Sequence, residues 1–382
     1  MDNNGNSFLT AVYKRVSRME REYIVKNNKK LRCGYTTGVC AQGAAKAGAM
    51  ILLGNKTIKM VEVCVPRGDK LALQVEDVWR EGNDSVVCGI RKDGGDDIDA
   101  THGLMIYAKV EKKPDTKLII IDGGEGVGRV TRPGLDQPVG SAAINSTPRK
   151  CIERELMDVS ESFHYTGGFQ VTIMVPEGEK AARKTFNSNL GIEGGISILG
   201  TSGIVEPMSD ESIVETIRTN ISMLRAEGEK ELVITPGNYG ETFIAENTHI
   251  PAEKVVKCSN FIGKTIDIAN ELGFHKVILI GHIGKLVKLG AGMMNTHSAY
   301  GDGRMEILTA CCIQSGGDIE LCRKVLSCNT CDEAIECLER ARMKDKVLKT
   351  LEQRIYQYVN KRAGEEMEMN IIVFSNIYGR LL

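Results

Sequence analysis

The spacing of apolar residues divides the chain into two regions that predict different folds. Up to about residue 190, short apolar stretches alternate with polar turns and few helices, which favours an α+β domain. From residue 191 onward, strands, glycine-rich turns and amphipathic helices follow one another, which predicts an α/β, Rossmann-like domain with a mostly parallel sheet. We therefore assign 31–190 to the first domain and 191–382 to the second, and treat 1–30 as a leader.

The first domain is predicted to begin with a helix and to continue mainly as strands. A helix rich in alanine is predicted over 37–53, after the loop GYTTG. A shorter helix is predicted after Ser146-Thr147-Pro148, where a hydroxyl cap and a proline at the first helical position supply the start signal. Turn-forming segments separate the predicted strands, which are 58–65, 71–78, 85–91, 104–110, 117–122 and 170–175.

The second domain is predicted to bring its glycine-rich turns to one edge of its sheet. Its strands are predicted at 196–199, 232–235, 255–257, 277–280 and 371–374, and 304–362 is predicted to be helical. Ligands of parallel sheets bind beyond the carboxyl ends of the strands. The turns GTSG (200–203), TPGNYG (235–240) and GHIGK (281–285) are therefore predicted to share one edge.

Charge and hydropathy exclude several classes of partner. The 382 residues carry 49 Lys and Arg against 50 Asp and Glu, so the net charge of −1 provides no global field for nucleic acid or acidic membranes. Apolar runs such as those at 118–121 and 277–280 are the size of a strand and far shorter than the roughly 20 residues of a membrane helix. Residues 1–30 contain no apolar stretch of a secretory signal. We expect a cytoplasmic protein without nucleic-acid or membrane partners.

The 12 cysteines are scattered without a disulfide-framework spacing, which indicates reduced thiols. One cluster, formed by Cys322, Cys328, Cys331 and Cys337, could suggest a metal site. Cys331 and Cys337 are six residues apart on a predicted helix and so point to different faces. Packed or idle thiols are the preferred interpretation, and no metal is predicted.

The turn GHIGK places free backbone N–H groups and a helix start beyond a strand. Lys285 in this first helical turn opposes the helix dipole, which indicates an anion nearby; a lysine that faces solvent is the alternative. His282 at the strand end is a candidate for proton transfer, and a packing histidine explains it equally well.

A second glycine-rich segment, GGEGVGRVTRPG (123–134), combines flexible backbone with positive charge. Gly124 and Gly126 permit close backbone approach, and Arg129 and Arg132 could hold carboxylates, as could Arg149 and Lys150 at the start of the second predicted helix. A merely flexible loop is the alternative. A dinucleotide fingerprint is rejected, because no helix follows and prolines interrupt the segment.

The loop KDGGDDIDATHG (92–103) is dense in carboxylates. It could bind a divalent cation or transfer protons, but a solvated turn is preferred for Asp93, Asp96 and Asp97. Asp99 and His102 remain catalytic candidates, since histidine exchanges a proton near neutral pH.

Signatures of other enzyme classes are incomplete. FIGKT (261–265) is similar to the end of a phosphate-binding loop, but the required first glycine is Cys258. Neither the G-x-S-x-G nucleophile turn nor the H-E-x-x-H zinc helix occurs in the chain.

Several long segments, taken in order, resemble the CbiD family, the cobalt-precorrin-5B C1-methyltransferases of the oxygen-independent route to cobalamin. The segments are LRCGYTTGVCAQGAAKA, DGGDDIDATHG, GGEGVGRVTRPGL with AINSTPRKCI, GGISILGTSGIVEPMS, TPGNYG, and KCSNFIGKTIDIA with GHIGKLVKLGAGMMNTHSAYGDGR. The resemblance runs from Leu31 to Arg304 and more loosely to the C-terminus. Cys33 and Cys40 depart from the small or hydroxyl residues expected there, but neither lies in a glycine turn.

The resemblance implies S-adenosylmethionine as methyl donor and a polycarboxylate cobalt macrocycle as acceptor, with cobalt-precorrin-6A as product. Such a transfer needs positioning and a dry pocket without a covalent nucleophile. The donor is expected at Gly200, Thr201, Gly203, Glu206, Pro236, Gly237, Asn238 and Gly281. The macrocycle is expected at Thr36, Thr37, Gly124, Gly126, Arg129, Arg132, Arg149, Lys150 and Lys285. Catalytic roles are expected for His282, His102 and Asp99.

Two other functions stay open at this point. A non-catalytic tetrapyrrole carrier would need the same basic pocket but no donor site. A nucleotide phosphotransferase is the second alternative, and the missing glycine at 258 argues against it. A homo-oligomer is possible, and the sequence does not decide the oligomeric state.

Overall fold

The computed structural model describes residues 22–26, 28–185, 187 and 190–382. The chain forms two compact units, which meet in sequence between Ser209 and Asp210. Both units are mixed α/β structures that contain parallel strand pairs. In the part of the chain that is described, every helix is too short or too polar to cross a lipid bilayer.

The first unit contains thirteen short strands and three helices among its described residues. These are β1 (Tyr23–Lys26), β2 (Lys29–Arg32), β3 (Gly34–Tyr35), α1 (Thr37–Gly54), β4 (Met60–Cys64), β5 (Lys70–Gln74), β6 (Asp77–Arg80), β7 (Ser85–Arg91), β8 (Met105–Lys113), β9 (Ile119–Gly123), β10 (Arg129–Val130), α2 (Ser146–Ser162), β11 (Gly168–Met174), α3 (Gly178–Ala182), β12 (Ile192–Glu193) and β13 (Ile204–Val205).

The main sheet of this unit has the order β6-β7-β8-β11-β9. Its neighbours are antiparallel except for β11 and β9, which pair in parallel. Helix α1 covers the sheet and is buried along most of its length, because alanine and glycine allow it to lie close to the strands. A Cβ added at Gly48 would lie 2.8 Å from Val110 of β8. The predicted small-residue helix is therefore confirmed as the centre of this core.

Two predicted strands of this region are wrong. The stretch predicted as one strand over 71–78 is two strands, because β5 pairs with β4 whereas β6 joins the main sheet. The stretch 196–199 makes only isolated bridges, Val127 with Ile196 and Ile144 with Ile198. A buried apolar segment with irregular backbone has the same sequence pattern as a buried strand. Hydrophobic periodicity therefore did not distinguish the two kinds of segment.

The predicted domain boundary and leader also differ from the structure. The segment after residue 191 belongs to the first unit, because Ile192 pairs with Val130 and Ile204 pairs with Tyr35. Residues Tyr23–Lys26 pair with Lys29–Arg32 in a hairpin, so the end of the predicted leader is folded. The leader prediction for residues 1–21 lies outside the described residues.

The second unit is built on a five-stranded sheet with the order β15-β14-β16-β17-β18. Its elements are α4 (Asp210–Ala226), β14 (Glu231–Thr235), α5 (Asn238–Asn247), β15 (Val255–Lys257), α6 (Ile262–Glu271), β16 (Lys276–His282), α7 (Ile283–Leu286), α8 (Arg304–Gln314), α9 (Ile319–Leu326), α10 (Cys331–Arg340), α11 (Lys344–Ala363), β17 (Glu368–Ser375) and β18 (Gly379–Arg380).

Four strands of this sheet run in parallel, and β18 at the edge is antiparallel to β17. Apolar faces of α4, α6 and the C-terminal helices form its large core, with Ile221, Ile266 and Leu308 fully buried. Because consecutive parallel strands are joined through helices, the strands end at a common edge. This edge carries the second and third of the predicted glycine turns.

Candidate functional site

The turns after β14 and β16 lie together at the carboxyl edge of the second-unit sheet. The ammonium group of Lys285 donates to the carbonyl oxygen of Pro236, which ties the two turns. A Cβ added at Gly281 would lie 3.0 Å from Pro236, so a larger residue would push the turns apart by a few tenths of an ångström. The sequence prediction that TPGNYG and GHIGK share one edge is confirmed in this unit.

His282 ends β16 and caps α7 with its side chain. Its Nδ1 accepts a hydrogen bond from the backbone N–H of Gly284 at 3.1 Å. Burial lowers the pKa of the imidazole, and the negative charge of Asp332 acts in the opposite direction. A neutral ring whose Nδ1 accepts carries its proton on Nε2. In this position His282 offers a hydrogen-bond donor, and Nε2 has no partner among the described residues.

The start of α5 offers further donors beside this ring. Gly237 precedes the helix, and no side chain caps it. The first N–H groups of a helix lack intrahelical acceptors and carry its positive dipole end. A Cβ added at Gly237 would meet only the Nζ atom of Lys285, at 3.5 Å, so open space adjoins this helix start. The arrangement can bind an anion, such as a carboxylate, between the helix start and Lys285.

Two residues of this edge were not singled out from the sequence. Tyr239 is 65% exposed, and its ring lies 5.7 Å from that of His282, so the two form an aromatic surface at the helix start. Thr235 is fully buried, and its hydroxyl lacks a hydrogen-bond partner among the described residues. The sequence signal for this residue was a hydroxyl side chain at the end of an otherwise apolar buried strand, where it needs a hydrogen-bond partner.

The first predicted turn, GTSG, lies in the first unit and not at this edge. Gly200 and Gly203 pack on the start of α1: a Cβ at Gly200 would collide with the Thr36 side chain, and one at Gly203 with Val65. Both glycines have positive φ, which explains their identity without a ligand. The prediction that all three turns share one sheet edge is therefore wrong.

Thr201 and Glu206, which were also predicted to bind the donor, lie in the first unit as well. Thr201 is exposed. The carboxylate of Glu206 lies 3.8 Å from the guanidinium of Arg67, which also binds Glu22 and Asp69. The structure thus divides the predicted donor residues between the two units, with Pro236, Gly237, Asn238 and Gly281 in the second.

Thr36 and Thr37 are used to build α1. The Thr36 hydroxyl caps the helix by accepting from the N–H of Val39 at 3.3 Å. The Thr37 hydroxyl accepts from the N–H of Leu199 at 2.9 Å and lies within hydrogen-bond distance of the Ser197 carbonyl. Both residues are buried, which favours a structural role over direct contact with the macrocycle.

The glycines of the 123–134 segment are required by close backbone packing. Gly126 has a φ of 70°, and a Cβ there would lie 1.8 Å from the carbonyl oxygen of Val175. The Gly124 N–H donates to the Ile173 carbonyl at 2.8 Å. These glycines do allow a close approach, but the approaching group is the backbone at the end of β11 and not a ligand.

Two of the predicted macrocycle cations bind groups of their own unit. The Arg129 guanidinium donates to both carboxylate oxygens of Asp122, at 2.7 and 3.1 Å. Arg149 donates to the carbonyls of Ile144 and Ile121, at 2.8 and 2.7 Å, and burial lowers the pKa of its guanidinium. The start of α2, where an anion was expected, holds the Asp136 carboxylate through the N–H of Ser146.

The remaining two cations differ in exposure. Lys150 is exposed on the first turn of α2. Arg132 is half-buried, and the carbon atoms of its side chain pack on Gly191. Lys150 is thus the predicted cation most open to carboxylates from solvent.

The acidic loop is held by ion pairs. Asp99 binds the ammonium group of Lys92, which is 2% exposed, and accepts from the N–H and hydroxyl of Thr101. Burial alone would raise the pKa of Asp99, but the charge and hydrogen bonds of Lys92 and Thr101 lower it. His102 accepts at Nδ1 from the N–H of Gly94 at 3.0 Å. These contacts favour structural roles for both predicted catalytic residues.

The carboxylates preferred as a solvated turn are also engaged. Asp93 forms an ion pair with Arg32, which lowers the pKa of Asp93 to about 2. Asp96 accepts from the N–H of Arg32 at 2.7 Å, and Asp97 from the N–H of Met208 at 3.2 Å. These residues lie in a partly exposed turn, as preferred from the sequence, and their carboxylates also hold the loop to Arg32 and to the backbone of Met208.

The phosphate-loop alternative has no structural counterpart. Gly263 lies inside α6, where a Cβ would meet Met294 at 2.7 Å, and Lys264 is an exposed helical residue.

Across the described ranges, no group of three or more histidine, cysteine or carboxylate residues is arranged to hold a metal ion.

Comparisons with known proteins agree with the resemblance read from the sequence. Residues 24–207 match the family model CbiD, and residues 295–382 match the model for the CbiD C-terminal domain. A cobalt-precorrin-5B C(1)-methyltransferase of Ruminiclostridium cellulolyticum is 45% identical over 93% of this chain and 92% of its own length. The protein of the same description from Thermoanaerobacter sp. is 49% identical over 84% of this chain and 86% of its own.

A solved structure of the cobalamin biosynthesis protein (cbiD) from Archaeoglobus fulgidus is also similar. It is 28% identical, with 73% of this chain and 86% of that chain covered and a TM-score of 0.40. The two family models together match residues 24–207 and 295–382, and each of the two relatives covers more than four fifths of this chain. The chain therefore belongs to the CbiD family.

Proposed function

We propose that this chain transfers a methyl group from S-adenosylmethionine to ring carbon C1 of cobalt-precorrin-5B, a step of cobalamin biosynthesis. The relatives described as cobalt-precorrin-5B C(1)-methyltransferases support the reaction. The observation that carries the donor site is the joined pair of strand-end turns, with Lys285 bound to Pro236 beside an uncapped helix start. The second unit then serves as a Rossmann-like donor domain.

The donor fits this edge through its charged and aromatic parts. Its carboxylate would bind the first N–H groups of α5 and the remaining N–H bonds of Lys285. Its adenine would contact the exposed ring of Tyr239, next to His282. Open space at Gly237 leaves room for the carboxylate. The Nε2–H of His282 would position the donor or acceptor by a hydrogen bond.

The macrocycle carries carboxylate arms, and the predicted cations of the first unit are their proposed partners. Lys150 binds them directly, since it is exposed, and Arg132 is the second candidate. Arg129 and Arg149 would act mainly by holding the backbone in place. In the reaction, the C1 electron pair forms the new bond to the methyl carbon, and the electrons of the broken bond stay on the donor sulfur.

Transfer of a labelled methyl group tests this function. The protein is incubated with S-adenosylmethionine labelled at the methyl carbon and with cobalt-precorrin-5B, and NMR locates the label in the product. We expect label at C1 only when protein, donor and macrocycle are all present. A protein that binds the macrocycle but shows no donor binding by calorimetry would instead be a tetrapyrrole carrier.

A further inference from the structure

Two thiols of the second unit lie against each other beside the C-terminal helices. The Sγ atoms of Cys328 and Cys337 are 3.9 Å apart, and both side chains are half-buried. Cys328 lies in the loop between α9 and α10, and Cys337 lies on α10. The proposed methyl transfer uses neither thiol, so their proximity calls for a separate explanation.

The structure brings Cys328 close to Cys337, whereas the Cys-x-x-Cys spacing suggests Cys331 as its partner. The CNTC segment would pair Cys328 with Cys331, as in Cys-x-x-Cys redox motifs. Cys331 is the first residue of α10 and only 2% exposed, and burial raises the pKa of its thiol to about 12. Since a reactive thiol needs access and thiolate character, Cys331 is protected from small oxidants. Cys337, six residues later on α10, is half-buried and is therefore the accessible partner.

The local backbone permits the two sulfur atoms to join. A disulfide has an S–S distance of about 2.05 Å, so the atoms must approach by roughly 2 Å. Cys328 lies outside regular secondary structure, between the last residue of α9 and the Thr330 cap of α10. Rotation of the two side chains and a small shift of this loop can therefore close the gap without unwinding α10.

We propose that Cys328 and Cys337 form a redox modification site that reacts with small-molecule disulfides, such as oxidised glutathione, and closes to an intramolecular disulfide. Cys337 attacks first as thiolate and joins one glutathione sulfur, and the other glutathione leaves as thiolate and takes up a proton. Cys328 then attacks the Cys337 sulfur, loses its proton and releases the second glutathione as thiol. The two cysteines are oxidised by two electrons, and the disulfide reagent is reduced to two thiols.

This order of attack follows from the surroundings of Cys328. Its thiol lies 3.2 Å from the Lys324 carbonyl, to which it donates. Burial, together with the hydrogen bond to Cys337, raises the pKa of Cys328 to about 11. The Cys328 thiol is therefore held protonated at neutral pH and resolves the mixed disulfide in the second step.

Closure of this disulfide would act on the edge that carries His282. The closed loop contains Asp332, whose carboxylate accepts from the Ser375 hydroxyl at 2.6 Å. Ser375 ends β17, the strand that pairs with β16 next to His282. The Asp332 charge also favours protonation of His282. This consequence rests on the proposed function, whereas the modification itself does not.

Peptide mapping after oxidation tests the site. The full chain is treated with oxidised glutathione and digested without reductant by trypsin and a glutamyl protease, which separate 325–333 from 337–339. A disulfide between Cys328 and Cys337 joins these two peptides, and reductant separates them. The joined peptides must persist in Cys331→Ala. In Cys328→Ser, glutathione must stay on Cys337.

The matched control is Cys64→Ser, which removes a half-buried thiol of the first unit and must leave the joined peptides unchanged. A disulfide confined to 325–333, loss of the joined peptides in Cys331→Ala, or stable glutathione on both Cys328 and Cys337 would overturn the proposal. So would no reaction in the native chain when the urea-unfolded chain reacts fully.

Methyl transfer is then measured with the reduced and the oxidised chain. This measurement distinguishes the disulfide modification from its proposed effect on His282 through Asp332. A shift in the pH dependence of kcat on oxidation supports coupling through Asp332, and an unchanged profile overturns that coupling while the modification stands. If neither form transfers methyl groups but the disulfide forms, the proposed function fails and the redox site is retained.

Discussion

In the first unit, Arg129 and Arg149 already bind a carboxylate and backbone carbonyls of their own chain. At the sheet edge of the second unit, by contrast, the described part of the chain offers no hydrogen-bond partner to Nε2 of His282 and no side-chain cap to the start of α5. A cation with existing partners gains less from a ligand, because those hydrogen bonds must be exchanged. The comparison indicates that the proposed donor edge has hydrogen-bond donors available for a ligand, whereas Arg129 and Arg149 hold loops of the first unit.

The largest expected effect is a loss of stability of the first unit when the Asp99 side chain is removed. Asp99→Ala leaves the Lys92 ammonium buried without its partner, so we expect a loss of about 3–5 kcal/mol in stability of this unit. Urea unfolding measures it. Adding Lys92→Met should recover most of the loss. If Asp99→Ala keeps full stability but loses turnover, Asp99 is catalytic and the comparison fails.

Replacement of His282 tests the donor edge. His282→Ala removes the Nε2–H and the cap of α7, and we expect kcat to fall by on the order of tenfold or more. Donor affinity, measured by calorimetry, should change much less. His282→Asn is the control, since asparagine can also cap a helix. Equal turnover in His282→Ala would make this histidine a packing residue.

Replacement of Lys285 gives a binding effect. Lys285→Met removes a charged donor at the helix start, and we expect the donor Kd to rise about tenfold, or roughly 1.4 kcal/mol. Lys264→Met, on the exposed face of the neighbouring α6, is the matched control and should bind normally. If macrocycle affinity falls instead of donor affinity, Lys285 belongs to the acceptor site.

The smallest expected effect is a pH dependence of the first unit. The ion pair with Arg32 lowers the pKa of Asp93 from 3.8 to about 2 in the folded chain. The folded state therefore binds this proton more weakly, so the ion pair stabilises the fold above about pH 4, and this stability is lost as pH falls toward 2. Urea midpoints across this range should fall less steeply in Arg32→Ala. Equal slopes would show that the pair does not contribute.

Much of the second unit was predictable because strands, glycine-rich turns and helices alternate regularly along it. The strands at 232–235, 255–257 and 277–280 were found because apolar residues, glycine turns and amphipathic helices repeat there in order. The same reasoning misassigned 196–199, where the carbonyls and N–H groups are satisfied by Thr37 and scattered bridges. Local pattern alone does not reveal which distant partner satisfies a backbone group.

The sequence by itself determined the family and the reaction class through its resemblance to CbiD proteins, and it determined the pairing of TPGNYG with GHIGK through the order of parallel strands and turns. Only the tertiary structure decided that GTSG lies in the other unit, that Asp136 occupies the start of α2, and that Cys328 faces Cys337. The physical reason is that side-chain partners depend on contacts between residues far apart in sequence. Spacing along the chain does not encode those distances.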